Sequence, residues 1–345
     1  MKLGHCSRVR GTKKLMMEMV IERFALILLC LIVKIYGINT INAACPPADS
    51  ITPCVCEYRH FMQVPIYEIY CKDTKDLIPY TFSNVRKNIA IAMKGQFIRL
   101  YPLKFEYLLR LYDEIFKNLT VSGLEITDSN ITEISDNVFN GNENSLNRLY
   151  IGKSNLKKIP VGALKTLTNL QVLVIKNSQI SKLELDELPS TVAHFNFNGN
   201  QINSIEKDVF AKFHNLLGLD LDDNMLSSFS TTTPKSLFLL SFKKNNLKLF
   251  PTNASRTMVD EGGIYLIGNE ITSLPSETSM KNILQKKISV SLQGNDINCD
   301  CNTKWVLENQ IDLNKFIPII NCGQNSGKRS SKDVSQLTQE DYSDC

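Results

Sequence analysis

The sequence predicts an α/β solenoid, a stack of short units that each give one strand to a concave parallel β-sheet, with disulfide-linked caps at both ends. Three observations carry this. An apolar-x-apolar pair, a turn residue and one further apolar residue recur nine times between residues 91 and 297. After the first step, the copies are 21 to 26 residues apart. Eight cysteines follow residue 43 in two groups of four, one on either side of the repeats.

The first 43 residues read as a secretory signal peptide. A basic segment precedes the apolar run Phe24–Val33, and the small residues Ala43 and Ala44 follow. A membrane anchor is the competing reading, but the run is about half the roughly 20 residues a spanning helix needs. This leader holds seven of the 39 Lys and Arg and two of the 35 Asp and Glu, so the rest of the chain has a net charge of −1. The formal +4 therefore belongs to the leader, and the body lacks the basic excess of a nucleic-acid binder. No second long apolar run follows, so no transmembrane anchor is expected.

Residues 44–88 are expected to form an irregular cysteine-rich N-terminal cap. Pro46, Pro47 and Pro53 break helices there, and Ile69-x-Cys71 reads as a first, edge strand. Cys45, Cys54, Cys56 and Cys71 lie in this segment, and Cys299, Cys301, Cys322 and Cys345 in the C-terminal cap, 299–345. An even count in a secreted chain points to disulfides. A zinc site in each group is the alternative, and the Cys-x-Cys spacing and oxidising compartment weigh against it.

Residues 89–298 hold the repeats. Their strand pairs are Ile91/Met93, Leu124/Ile126, Leu149/Ile151, Leu173/Ile175, Phe195/Phe197, Leu219/Leu221, Leu240/Phe242, Ile264/Leu266 and Val290/Leu292. The turn position carries Gln96, Ser129, Ser154, Ser178, Asn200, Asn224, Asn245, Asn269 and Asn295. An inward Asn there can bond backbone groups and stack as a ladder, and Ser can do part of this. The inward residues Ile98, Ile131, Leu156, Ile180, Ile202, Leu226, Leu247, Ile271 and Ile297 follow. Exits of Leu-Pro type come at Pro160, Pro251 and Pro275. The first step is 33 residues long, and its stretch Leu103–Phe116 is expected to form a short outer helix.

This pattern resembles the leucine-rich repeat consensus, LxxLxLxxNxLxxLP, over residues 91–297. The flanks resemble the cysteine-rich caps of its extracellular members, with Asn295-x-Ile297-Asn298-Cys299-Asp300-Cys301-x-x-x-Trp305 as the C-terminal signature. The resemblance implies a leucine-rich repeat horseshoe and the pairings Cys45–Cys56, Cys54–Cys71, Cys299–Cys322 and Cys301–Cys345. The Cys45-Pro46 opening and Ile51-Thr52-Pro53-Cys54-Val55-Cys56 are similar to secreted arthropod leucine-rich repeat proteins of the type found as the non-catalytic subunit of Oplophorus luciferin 2-monooxygenase. That likeness implies a partner-supporting role without chemistry.

Catalytic patterns are not found, and no cofactor is expected. Gly152-Lys153-Ser154 resembles the end of a phosphate-binding loop, but the glycine required upstream is missing. Asp220-Leu221-Asp222-Asp223-Asn224 begins like a calcium loop, then fails at Met225 and Thr231, where glycine and a bidentate Glu belong. The reading is a repeat strand with Asp220 and Asp222 solvated on its open face. His60, His194 and His214 have no ligand spacing, and His194 reads as a surface residue.

Strand alternation places the residues between and after each core pair on the concave face. One column is Ala92, Glu125, Tyr150, Val174, Asn196, Asp220, Ser241, Tyr265 and Ser291. The other is Lys94, Thr127, Gly152, Lys176, Asn198, Asp222, Lys243, Ile267 and Gln293. Tyr150, Val174, Tyr265 and Ile267 are apolar or aromatic on an open sheet. With Asn196, Asp220, Asp222 and Lys243 they form the candidate partner site. Sequons at Asn118, Asn130 and Asn253 offer glycosylation outside these columns. The expected function is secreted, extracellular protein binding without catalysis. Expected partners are an unidentified protein, a catalytic subunit or a second copy, and not nucleic acid.

Overall fold

The computed structural model describes residues 45–61, 64–71, 79–93, 98–105, 107–308 and 320–345. The leader, Lys94 and Gln96 lie outside them. The chain opens with the strands β1 (Cys54–Phe61), β2 (Val64–Cys71) and β3 (Ile98–Leu103). The repeat strands are β5 (Val121–Thr127), β7 (Arg148–Gly152), β8 (Val172–Lys176), β9 (His194–Asn196), β10 (Gly218–Asp220), β11 (Leu239–Ser241), β12 (Gly263–Tyr265) and β13 (Ser289–Ser291). These form one eleven-stranded sheet, β1-β2-β3-β5-β7-β8-β9-β10-β11-β12-β13. Every pair after β1–β2 is parallel. The molecule is a leucine-rich repeat horseshoe with disulfide-linked caps. Two short strands, β4 (Arg110–Leu111) and β6 (Glu133–Ile134), form a separate parallel pair.

The repeat spacing accounts for the core. From β5 to β13 both members of each apolar pair are buried, as is the apolar residue two places past each turn. One unit cannot enclose this face alone, so the units stack. The residue just before each turn position takes a positive φ in all eight of these repeats. They are Asp128, Lys153, Asn177, Gly199, Asp223, Lys244, Gly268 and Gly294. Gly, Asn and Asp suit this left-handed conformation best.

At the turns themselves a ladder forms. The Asn200 Oδ1 accepts the Ile180 N–H at 3.1 Å, and its Nδ2 donates to the Ile175 carbonyl at 2.8 Å and to Phe197 at 2.9 Å. Asn224, Asn245, Asn269 and Asn295 repeat this, each linking its own repeat to the one before. Where the turn residue is Ser, the link is thinner. Ser154 and Ser178 bond each other at 2.9 Å, and Ser129 accepts the Phe105 N–H at 2.9 Å.

Three expectations fail at the N-terminal end. Ile91/Met93 is no strand pair: Pro79–Ala92 is a helix. Its buried residues Phe82, Val85 and Ile89, followed by Met93, keep helical spacing, while Ile91 points out at 77% exposure. The strand of this unit is β3, whose Ile98 and Leu100 are buried. Its register to β5 slips between Leu100 and Leu103, around Pro102, which has no N–H to give. The stretch Leu103–Phe116 forms no helix either, and runs through turns and β4. Finally, Ile69-x-Cys71 ends β2, an inner strand. The edge is β1, which pairs antiparallel to β2 with Cys54 opposite Cys71.

The caps finish the core. Cys45–Cys56 and Cys54–Cys71 tie the N-terminal hairpin, and Cys299–Cys322 and Cys301–Cys345 tie the C-terminal segment. In the latter, Arg329 is buried. Its guanidinium donates to the Cys299 and Asp341 carbonyls and to the Asp344 carboxylate, and lies over the Tyr342 ring. Trp305 packs, partly buried, against this core.

Candidate functional site on the concave sheet

Register assembles the candidate residues into rows. Glu125, Tyr150, Val174, Asn196, Asp220, Ser241, Tyr265 and Ser291 are direct neighbours on eight consecutive strands. At about 4.8 Å per strand they form one continuous line across the concave face. Lys176, Asp222, Lys243 and Ile267 follow two residues further along their strands.

The middle of this line differs from the expectation. Asp220 and Asp222 are not solvated but 9% and 6% exposed. Neighbouring repeats cover them with donors. Asn196 Nδ2 donates to Asp220 at 3.1 Å, and the Asp222 N–H donates to the other Asp220 oxygen at 2.9 Å. Asp222 accepts from Ser241 Oγ at 2.5 Å and the Lys243 N–H at 2.7 Å, and pairs with the Lys243 ammonium at 3.5 Å. Burial, and then the neighbouring Asp222 carboxylate, pushes the Asp220 carboxyl up to about 7. Burial also raises Asp222, against the pull of Ser241 and Lys243. Among the described residues no group of three or more His, Cys, Asp or Glu is arranged to hold a metal ion.

The two tyrosines sit under cations. Lys176 Nζ lies 5.0 Å from the Tyr150 ring centre, and Lys243 Nζ lies 5.1 Å from that of Tyr265. Each ring also lies against a glycine of its own strand. A Cβ on Gly152 would meet the Tyr150 ring at 2.7 Å, and one on Gly263 would meet the Tyr265 ring at 2.9 Å. Val174 and Ile267 are half-buried in the same surface.

Sequence reasoning missed a third column, the residue before each core pair. Strand alternation carried one step back would have found it. It holds Gly123, Arg148, Val172, His194, Gly218, Leu239, Gly263 and Ser289. His194 therefore lies on the concave face, half-buried. It lies against Gly218, where an added Cβ would meet its Nδ1 at 2.7 Å. Burial, and then Arg148, lowers it to about 4, so it is neutral at pH 7. Tyr101 covers Gly123 in the same way, and burial raises its hydroxyl. The three sequon asparagines, Asn118, Asn130 and Asn253, are exposed and off this face.

No family model matches the chain. The chain is 32% identical to lumican of Gallus gallus over 170 residues, which is 48% of each protein. It is 32% identical to mimecan of Coturnix japonica over 138 residues, 37% of this chain and 46% of that one. Podocan of Mus musculus matches at 26% over 132 residues, 37% of this chain and 21% of that one. These relatives are extracellular leucine-rich repeat proteins, and the chain spans less than half of their length. In fold it is similar to a chain of the octameric complex of Latrophilin 3, Unc5D and the FLRT2 leucine-rich repeat domain. That match has a TM-score of 0.53 and 18% identity, covering 72% of this chain and 82% of that one. A second match is to the TLR13–ssRNA13 complex, with a TM-score of 0.51 and 20% identity over 64% and 34% of the two chains.

Proposed function

We propose that the chain is a secreted leucine-rich repeat protein that binds a protein partner across its concave sheet and has no catalysis of its own. The observation that carries this reading is the unbroken line from Glu125 to Ser291, held in place before any partner arrives. Its rings are fixed against glycines and cations, and its carboxylates are bonded across repeats. Preorganised groups lose little freedom on binding, and Tyr is enriched among residues that dominate interfaces. Fold alone does not choose the ligand. One neighbour in fold is held in a protein assembly and the other in a complex with single-stranded RNA. The net charge of −1 after residue 43 favours a protein over a nucleic acid here. The extracellular nature of the relatives supports secretion, with 1–43 as leader, 44–88 and 299–345 as caps and 89–298 as repeats. Among the described residues no helix is long and apolar enough to cross a membrane.

Affinity capture on the full secreted chain, with mass spectrometry of what stays bound, tests the reading. The Tyr150→Ala, Tyr265→Ala double variant is expected to lose the captured protein. Undiminished capture overturns the concave site. A second reading, an accessory subunit of a secreted enzyme, rests on the Cys45-Pro46 opening and the Ile51–Cys56 step. It requires the captured partner to be a catalytic chain.

A further inference from the structure

The insertion between β3 and β5 holds an apolar patch that the binding face does not use. Tyr107, Leu109 and Tyr112 are 74%, 63% and 54% exposed. The backbone at Leu109 and Leu111 is pinned to the next repeat. The Leu109 carbonyl accepts the Thr132 N–H at 2.8 Å, the Thr132 Oγ1 at 2.9 Å and the Glu133 N–H at 3.2 Å. The Leu111 carbonyl accepts the Ser135 N–H at 2.9 Å. Arg110 pairs with Glu133 at 3.6 Å, and the Asp113 carboxylate takes Ser135 Oγ and, at 3.4 Å, Asn137 Nδ2. Residues 109–113 are therefore held against the next repeat with Leu109 and Tyr112 left exposed. A fixed, exposed apolar cluster on a secreted chain calls for a cover.

The strip that pins this insertion begins with the sequon Asn130-Ile131-Thr132. Ile131 is buried, whereas Asn130 and Thr132 are exposed. Thr132 bonds the Leu109 carbonyl, which sets this sequon against the insertion, with Asn130 exposed two residues away. The other two sequons are placed differently. Asn118 follows the buried Phe116 at the far end of the insertion, and Asn253 lies in the helix Thr252–Thr257.

We infer that an N-linked glycan on Asn130 lies over Tyr107, Leu109 and Tyr112 and is the cover for this patch. The apolar C–H faces of the first sugars suit tyrosine rings and a leucine, and their hydroxyls keep the outer surface wet. The inference rests on the extracellular reading above, because sequons are modified in the secretory route.

The experiment uses the full chain secreted from a eukaryotic host. Glycopeptide mass spectrometry reads occupancy at Asn118, Asn130 and Asn253. Hydroxyl-radical footprinting then reads oxidation of Tyr107 and Tyr112 against Tyr58, which is 47% exposed on the distant β1. Asn130 is expected to be occupied. Removing glycans enzymatically from the folded protein, or making Asn130→Gln, is expected to raise oxidation of Tyr107 and Tyr112 relative to Tyr58. Asn118→Gln is expected to leave that ratio unchanged. Occupancy at Asn118 or Asn253 with Asn130 bare overturns the inference and spares the extracellular reading. An occupied Asn130 with an unchanged ratio overturns it too, and so does a patch already shielded by a second copy. All three sites bare in a secreted product removes its basis. The enzymatic arm keeps the test decisive if Asn130→Gln is not secreted.

Discussion

The two halves of the sheet solve one problem with different chemistry. In the N-terminal half, with Ser at the turns, β5, β7 and β8 run for seven, five and five residues. In the C-terminal half, with Asn at the turns, β9 to β13 run for three residues each. Backbone bonds between repeats continue past these short strands, as from the Phe197 and Gly199 N–H groups to the Asp220 and Asp222 carbonyls, and the Asn amide adds to them. It takes the carbonyls of Phe197, Leu221, Phe242 and Leu266, and its oxygen takes an N–H of the repeat before. A hydroxyl has one proton to give, so the Ser repeats carry fewer side-chain links between units.

The most severe way to break this comparison is Asn224→Ala. It strands the Ile202 N–H and leaves the Phe197 and Leu221 carbonyls with one amide partner each, Asn200 and Asn245. One unsatisfied buried N–H costs about 1–3 kcal/mol and the two lost amide bonds about 0.5–1.5 kcal/mol each, so a loss of about 3 kcal/mol is expected in urea unfolding. The Ile202 amide should also lose its protection from hydrogen exchange. Ser178→Ala removes a single side-chain link to Ser154 and should cost about 1 kcal/mol. Equal losses for the two variants would erase the distinction between the halves.

The boundary between the halves is sharpened by pH. Asp220 has a folded value near 7, above its unfolded value of about 3.9. Its contribution to stability is full below about pH 4 and is lost as pH rises towards 7. His194 behaves oppositely. Its folded value near 4 lies below about 6.5, so its contribution is present above about pH 6.5 and is lost as pH falls towards 4. The two slopes oppose each other between about pH 4 and 6.5. Asp220→Asn should therefore make stability climb more steeply with pH across that window than it does in the parent chain. Urea midpoints at three pH values read this, and parallel profiles would refute it. The smallest effect is expected from Gly218→Ala, whose Cβ displaces the His194 ring. It should cost under about 1 kcal/mol and move the His194 titration, read by NMR, back towards about 6.5.

The repeats were legible because burial repeats with a period, and a period survives without knowledge of neighbours. The cap cysteines were legible because they stand outside that period. The N-terminal unit was not, since Ile91 and Met93 satisfy period two by accident while Phe82, Val85 and Ile89 satisfy the helix period that packing rewards. Alternation placed Asp220 and Asp222 on the correct face. It could not say that Asn196, Ser241 and Lys243, each at least 19 residues from its carboxylate partner, would cover them. The buried Arg329 carried no pattern at all, because its partners come from the two ends of the cap, Cys299 and Asp341–Asp344.

One reversed strand has a consequence for assembly. Parallel solenoids have two unlike ends, and like copies could in principle add head to tail without limit. Here the first strand runs against all the others, and the Ile297–Cys322 bridge carries the last repeat into the C-terminal cap. An incoming copy would meet an edge of the wrong polarity at one end and a closed lid at the other. The direction of β1 thus denies a head-to-tail copy the parallel register that joins the repeats.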